Sequence, residues 1–403
     1  MVVDDDTRFY VFETRGGALI TEVEPSDYDW SERSNTSETV NMRFVDRPEE
    51  WRNLFTPWKH SIAVDAGGHL LGGPILPIGL DGDKEELSVT ARGFLTLLGT
   101  RKVLPLAALT QPIAPDGIPD PSMDTIIGGV DHGTIGSRLV QQACTWPGWT
   151  DIPISYHPDR AGTRSESYKA VQGKRVNAAL ADLTKQKDGP DIRIQLVRLS
   201  EDQFGWVYQS GTEEQPRLQG DVPLEWEALE VSGLGIDVDP SRMGSMFWST
   251  GGRDLDKVVV RGLYDPYLVD RGFPLMELDS DASTSTSDAT TLDSWNAELA
   301  RTARSPWDFW QFRVPMSQSP LPYEYGCGDL ATVYLSPQQQ HRLGLLSSPH
   351  LLSGVNVLSG GSESFDVPGF LPARPYTRRI AGMSGSSRAR GFISLTFAEA
   401  YDG

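Results

Sequence analysis

Apolar and polar residues alternate through much of the first hundred positions. In Glu38–Asp46, ETVNMRFVD, Val40, Met42 and Phe44 fall on one side and Thr39, Asn41 and Arg43 on the other, the period of a half-buried strand. Glu85–Phe94, EELSVTARGF, repeats this with Leu87, Val89 and Ala91. Between them, His60–Ile75 sets Ile62 and Val64 ahead of Gly67-Gly68, with Leu70 and Leu71 returning, which predicts a hairpin. The stretch DRPEEWRNLFTP predicts one or two helical turns with Pro48 near the start. Residues 1–108 therefore read as an antiparallel β domain.

The period then changes. Ser122–Ala143, SMDTIIGGVDHGTIGSRLVQQA, has apolar residues at Ile126, Ile127, Val130, Leu139 and Val140, with Ser122 or Asp124 as the helix cap. Its four glycines weaken a helix by about 1 kcal/mol each relative to alanine. From Lys174 to Lys187 the helical case is stronger, because Val176, Leu180 and Leu183 recur at i, i+4 and i+7. Ile192, Ile194 and Leu196 then alternate with Arg193 and Gln195, and SEDQFG turns into a second strand, GWVYQSG. Residues 109–250 read as an inserted α+β domain. Beyond them strand patterns return in DKVVVRG, FWQFRV, LATVYLS and GFISLTFAEA. One helix, about 290–304, sets Leu292, Trp295, Leu299 and Thr302/Ala303 on a single face. It follows a Ser/Thr/Asp tract at 279–291 with nothing apolar to bury, read as a mobile loop. A Gly/Ser-rich loop lies within 350–370, and 251–403 form a second β region. The fold class is α+β, mostly β.

Composition narrows the function. A chain of 403 residues exceeds one simple core, so two or three domains are expected. Forty glycines and 28 prolines favour turns and short strands over long helices. The net charge of −19 leaves no basic excess for counterion release from a DNA backbone. An acidic surface instead repels phosphate. Two cysteines, Cys144 and Cys327, form no CxxC and indicate neither a zinc cage nor a disulfide framework. The acidic N-terminus has no secretory pattern, and no apolar run approaches the ~18 residues of a membrane span. These features predict a soluble protein made without export.

Candidate chemistry is thin. Asp188 and Asp191 flank Gly189-Pro190 and would suit a metal only if their oxygens converged. They read instead as a helix-to-strand joint, with Gly189 left-handed, Pro190 ending the helix and Asp191 opening the strand. The pairs Asp237/Asp239 and Asp279/Asp281, and DGDKEE at 81–86, miss the calcium-loop pattern. The histidines His60, His69, His132, His157, His341 and His350 show neither HxH nor HxxxH spacing. GMSGS at 382–386 misses the GxSxG elbow by its last residue, and GGVDHGTIG lacks GxGxxG and a phosphate-loop lysine. Trp146/Trp149 and Trp307/Trp310 suit sugar stacking, although tryptophan more often fills a core or an interface. No catalytic, cofactor-binding or metal residue is assigned.

The order of motifs carries a likeness. YDWSERSNTSETVNMRFV is followed by NLFTPWKHSIAVDAGGHLLGGPI and LSVTARGFLTLLGTR. The middle has YKAVQGKRVNAALADLTKQKDGPDIRIQLVRL and FGWVYQSG, and the end has YEYGCGDLATVYLS and RRIAGMSGSSRARGFISLTF. In this succession the chain resembles the tail-tip baseplate hubs, or minor tail proteins, of long-tailed (siphovirus) actinobacteriophages. Residues 279–291 and 350–370 are outside the likeness. The resemblance implies two tube-like antiparallel β-barrel domains with an inserted α+β domain, three chains forming a pseudo-sixfold ring. It implies a non-enzymatic virion protein at the tail tip, assembled in the host cytoplasm. Its implied partners are its own copies as a homotrimer, the distal tail protein ring, the tape measure protein and other minor tail or tail-fibre proteins. DNA would pass through the lumen without specific binding. Some hubs carry further C-terminal peptidase or fibre domains; none is expected in these residues. The alternatives are a distal tail protein in a hexameric ring, a glycan-binding receptor module and, last, a cell-wall hydrolase.

Overall fold

The computed structural model describes residues 7–45, 50–82, 86–186, 188–220, 223–227, 231–254, 257–280, 288–334 and 375–399. The N-terminal strands are β1 (Thr7–Glu13), β2 (Leu19–Val23), β3 (Asp27–Arg33), β4 (Thr39–Phe44), β5 (His60–Ala66), β6 (His69–Asp81) and β7 (Glu86–Arg92). Two short helices accompany them, α1 (Trp51–Leu54) and α2 (Phe94–Leu98). The middle contains β8 (Thr125–Val130), α3 (His132–Cys144), β9 (Ile154–Ser155), β10 (Arg164–Tyr168), α4 (Val176–Thr184), β11 (Ile192–Ser200) and β12 (Gln203–Ser210). Then follow β13 (Leu224–Glu227), β14 (Ser232–Asp239), β15 (Met246–Asp254), β16 (Lys257–Tyr264), β17 (Glu277–Asp279) and α5 (Ala289–Thr302). The chain closes with β18 (Trp307–Pro315), β19 (Leu330–Tyr334), β20 (Pro375–Ser386) and β21 (Phe392–Glu399).

The predicted alternations form the predicted faces. Val40, Met42 and Phe44 of β4 and Leu87, Val89 and Ala91 of β7 are all buried, and the two strands pair antiparallel with Met42 opposite Val89. The β5–β6 hairpin turns at Gly67 and Gly68, both left-handed, with the Gly68 N–H donating to Asp65 Oδ1 at 2.8 Å. Helix α4 buries Val176, Leu180 and Leu183, and α5 buries Leu292 and Trp295. Pro48 and residues 350–370 lie outside the described residues, as do 281–287 of the Ser/Thr/Asp tract.

Residues 122–143 depart from the expectation. The segment opens in a 3-10 turn (Pro121–Met123) followed by strand β8, and the helix begins only at His132, capped by Asp131, whose Oδ1 accepts from the Thr134 N–H at 2.6 Å. Asp124 does not cap it; its carboxylate accepts from Ala170 N at 2.8 Å. The glycines that weaken α3 also allow it to pack closely. A Cβ at Gly133 would strike Arg160 and Ser210, and one at Gly136 would strike the Tyr208 hydroxyl. Close packing offsets the propensity deficit.

The largest sheet has 13 described strands, and its main path runs β14-β18-β21-β20-β3-β4-β7-β6-β5-β1-β2. Strand β6 turns a corner in it. Residues 69–74 pair with β5 and residues 75–81 with β7, with a register shift between Ile75 and Ile78. The N-terminal and C-terminal β regions thus share one ladder, joined where Met383 of β20 sits opposite Glu32 of β3. Strands β13 and β14, within 109–250, also enter it through β19 and β18. Among the described residues no pairing closes either region into a barrel. Smaller sheets are β8-β10, β9-β12-β11 and β16-β15-β17. Among the described residues no helix is long and apolar enough to cross a membrane.

Two large cores lie on opposite sides of β1 and β5. Phe9 and Val11 of β1 join Ile62 and Val64 of β5 in the first, with Trp30, Phe44, Trp310 and Phe397. Tyr10, Phe12 and Ala63 point into the second, with Phe94, Leu139, Leu180, Trp206 and Tyr208. There the Phe12 ring lies 5.0 Å from Phe204 and 5.7 Å from Trp206, centroid to centroid. Removing a buried phenylalanine side chain costs about 3–5 kcal/mol. Phe12→Ala should therefore lower unfolding stability by about that amount in a urea titration, whereas Ile20→Ala, at an exposed site of β2, should change it by less than about 0.5 kcal/mol.

Candidate functional site

The Asp188–Asp191 joint is built differently from its predicted form. Asp188, at φ 57°, is the left-handed residue, and Gly189 is not. Glycine is required at 189 by space, because a Cβ there would strike the backbone oxygens of Leu183, Thr184 and Gln186. Its N–H donates to Gln186 O at 2.7 Å. Asp191 turns inward and is only 4% exposed.

Asp191 holds four parts of the chain together. It accepts from Asn35 Nδ2 of the β3–β4 turn at 3.0 Å and from Leu218 N at 3.1 Å. It pairs with Arg379 of β20, and with Arg217 at 3.5 Å. Arg217 continues to Glu298 of α5 at 3.5 Å, and Glu298 to Arg301 at 2.7 Å. The Asn35 side chain works in both directions, its Oδ1 accepting from Ile192 N at 2.8 Å. The partners are 156 and 188 residues away for Asn35 and Arg379, so no local motif announces them.

A second buried group adjoins the first. Glu32 of β3 meets His69 Nε2 of β6 at 2.8 Å, with both side chains almost fully buried. Burial opposes the Glu32 charge, but the His69 hydrogen bond and charge, with Arg193, outweigh it and hold the carboxyl below its usual range. Glu38, just before β4, fills the notch left by the missing side chain of Gly93, whose N–H donates to Glu38 O at 3.0 Å. Burial pushes the Glu38 carboxyl up to about 8, and the Glu32 charge adds to that. Glu38 is thus a neutral acid at pH 7. Burial also pushes the Cys327 thiol well above its usual range, the opposite of an activated nucleophile.

The other candidates are dispersed. His60 Nδ1 meets Leu54 O at 2.7 Å, and burial drives buried His132 down to about 4. His341 and His350 lie outside the described residues. Asp237 and Asp239 are exposed on β14, and Asp239 Oδ1 accepts from Ser241 N at 2.8 Å. Asp279 is exposed at the end of β17, Asp81 ends β6, and Asp281 with residues 83–85 is outside the described residues. Among the described residues no group of three or more His, Cys, Asp or Glu is placed to hold a metal. Ser384 lies inside β20 opposite Ser31 and Ser394, and a Cβ at Gly385 would meet the Trp30 indole. The GMSGS glycine therefore serves strand packing. Trp310 is fully buried, and Arg101 lies over Trp146 at 4.0 Å and Trp149 at 5.7 Å. The side chain of Trp307 is outside the described set.

A cleft of about 620 Å³ opens between the β11–β12 sheet and residues 323–329. On its wall His157 Nε2 lies 2.9 Å from Ser210 Oγ, a spacing used by nucleophile–base pairs. Here Arg160 Nη2 donates to the same Oγ at 2.7 Å and to Gly211 O at 2.9 Å, and Ser210 is 9% exposed. The three side chains cross-brace the end of β12.

No family model matches the chain, and no curated protein does either. Solved structures do. The 43 kDa tail protein of prophage MuSo2 from Shewanella oneidensis aligns over 97% of this chain and 98% of its own, at 11% identity and a TM-score of 0.51. The tail protein from Neisseria meningitidis MC58 aligns over 98% and 96%, at 12% identity and a TM-score of 0.52. The chain has the fold of a phage tail protein. Within that fold the buried charges lie where the start of β11 meets the long ladder.

Two measurements check this site. Asp188→Asn should change stability by less than about 0.5 kcal/mol, since asparagine also accepts a left-handed backbone. Asp191→Asn should cost roughly 3–5 kcal/mol in denaturant unfolding, because it leaves Arg379 buried without its charge partner. Glu38 adds a pH dependence. Its folded value lies above its unfolded one, so its contribution is full below the unfolded pKa and is lost as pH rises towards about 8. Glu38→Gln should therefore gain melting temperature relative to the parent between about pH 5 and about pH 9. A difference that stays constant over that range would mean that Glu38 is ionised in the fold.

Proposed function

We propose that this chain is a structural subunit of a phage tail tip, a homotrimeric baseplate hub that adapts a sixfold tube to a threefold tip and forms part of the DNA conduit. The observation that carries this is the fold likeness to tail proteins, which runs over nearly the whole chain rather than over one module. The succession of hub-like motifs in the sequence supports the narrower reading. So does the presence of two β regions in one chain, because three chains then supply six units around an axis. The division into 1–108, 109–250 and 251–403 belongs to this proposal, with β13 and β14 lending strands from the middle stretch to the C-terminal region.

In this role the chain is not an enzyme. Its work is mechanical: it holds a ring rigid, and the Asp191 cluster keeps the inserted strands fixed to that ring. The partners are further copies, the distal tail protein ring, the tape measure protein and other tip or fibre proteins. The net charge of −19 suits a wall along which DNA slides, because an acidic surface repels phosphate. The measured mass of the ring isolated from tail tips should correspond to three copies of this chain. Six copies would sink the hub reading in favour of a distal tail ring.

A further inference from the structure

Among the described residues the β16-β15-β17 sheet is covered on one side only. Helix α5 packs against the face that carries Phe247, Leu263 and Leu278, burying Ala300 and Ala303 there. On the same side Arg261 of β16 pairs with Asp293 of α5 at 2.6 Å. Alternate residues point the other way. Val258 and Val260 are 53% and 54% exposed, and Tyr264 is also exposed. Trp248 and Met246 of β15 lie on this second face, opposite Gly262 and Tyr264. Strand β17 borders it with Glu277 and Asp279, opposite Met246 and Trp248. The result is an apolar stripe edged by two carboxylates. Folded proteins seldom leave such a stripe in water unless another surface meets it.

A surface of the matching kind occurs elsewhere on the same chain. Leu104, Met123 and Ala170 form a small separate core, and Leu106, Leu109 and Val171 around it are exposed. Lys102 and Arg175 are exposed beside them, brought together by an antiparallel bridge between their backbones. In a chain of net charge −19, an apolar patch edged by cations is the complement that the acidic stripe calls for. The patches differ, so a contact between them is head-to-tail, the kind from which a ring is built when its rotation closes.

We propose that the uncovered face of the β16-β15-β17 sheet receives the Leu106–Val171 patch of a second copy of this chain, with Glu277 and Asp279 facing Lys102 and Arg175. This specifies one contact within the trimer proposed above and rests on that reading.

The test is the mass of the purified full-length chain in solution. The parent should run as three copies. Glu277→Lys with Asp279→Lys should weaken association at least tenfold. Adding Lys102→Glu with Arg175→Glu should restore it, which a misfolded variant would not do. If the parent forms three copies and the reversed variant also does, this contact is wrong and the trimer stands. Dissociation without rescue means that the face meets something other than this patch, and the proposal falls. A parent that stays single overturns both the contact and the threefold reading. A parent of six copies sinks the hub while the reversal and rescue still decide the contact.

Discussion

Strand β1 is buried on both faces, and the architecture depends on that. A strand alternates its side chains between two sides, so one with an unbroken apolar run, here Phe9 to Phe12, belongs to two cores at once. Phe9 and Val11 serve the core of the long ladder, and Tyr10 and Phe12 serve the second core, shared with α3, α4, β11 and β12. Strand β5 repeats this with Ile62 and Val64 against Ala63. Helices α3 and α4 and strands β11 and β12 pack on one side of this wall and the core of the long ladder lies on the other, so a shift of the wall is felt in both.

The charged cluster has a different role. Burying Asp191, Arg379, Glu32, His69 and Glu38 removes polar groups from water, and paired charges only partly recover that loss. What such groups supply is a single geometry. An apolar contact tolerates sliding, whereas a carboxylate accepting from Asn35 and Leu218 while pairing with Arg379 has one position that serves all three.

Local features were legible in the sequence, and long-range ones were not. Val40, Met42 and Phe44 announced β4 because alternation against one core is written within six residues. Helix α4 was legible for the same reason at a different period. The start of α3 was not, because Gly133 and Gly136 look like breakers until Tyr208 and Arg160 are seen lying against them. Exchanging the expected roles of Asp188 and Gly189 needed knowledge of crowding by the preceding turn. Asp191 read as punctuation because its partners come from three distant segments. The union of the two β regions through β3 and β20 was equally hidden, since strand patterns say which residues are buried but not which strand lies alongside.

That union has a consequence for synthesis. Glu32 cannot find Met383 until the long stretch between them has left the ribosome. At about 5–20 residues per second, the wait lasts tens of seconds. During it the β3 edge offers unpaired backbone groups, with Tyr28 and Trp30 close by, to any strand that comes near. Nascent chains of this protein therefore share a vulnerable period in which early completed halves can pair with one another instead of with their own ends. Spacing of ribosomes along the message, or a chaperone that shields β3, would set the yield of correctly paired chains as firmly as the stability of the finished fold.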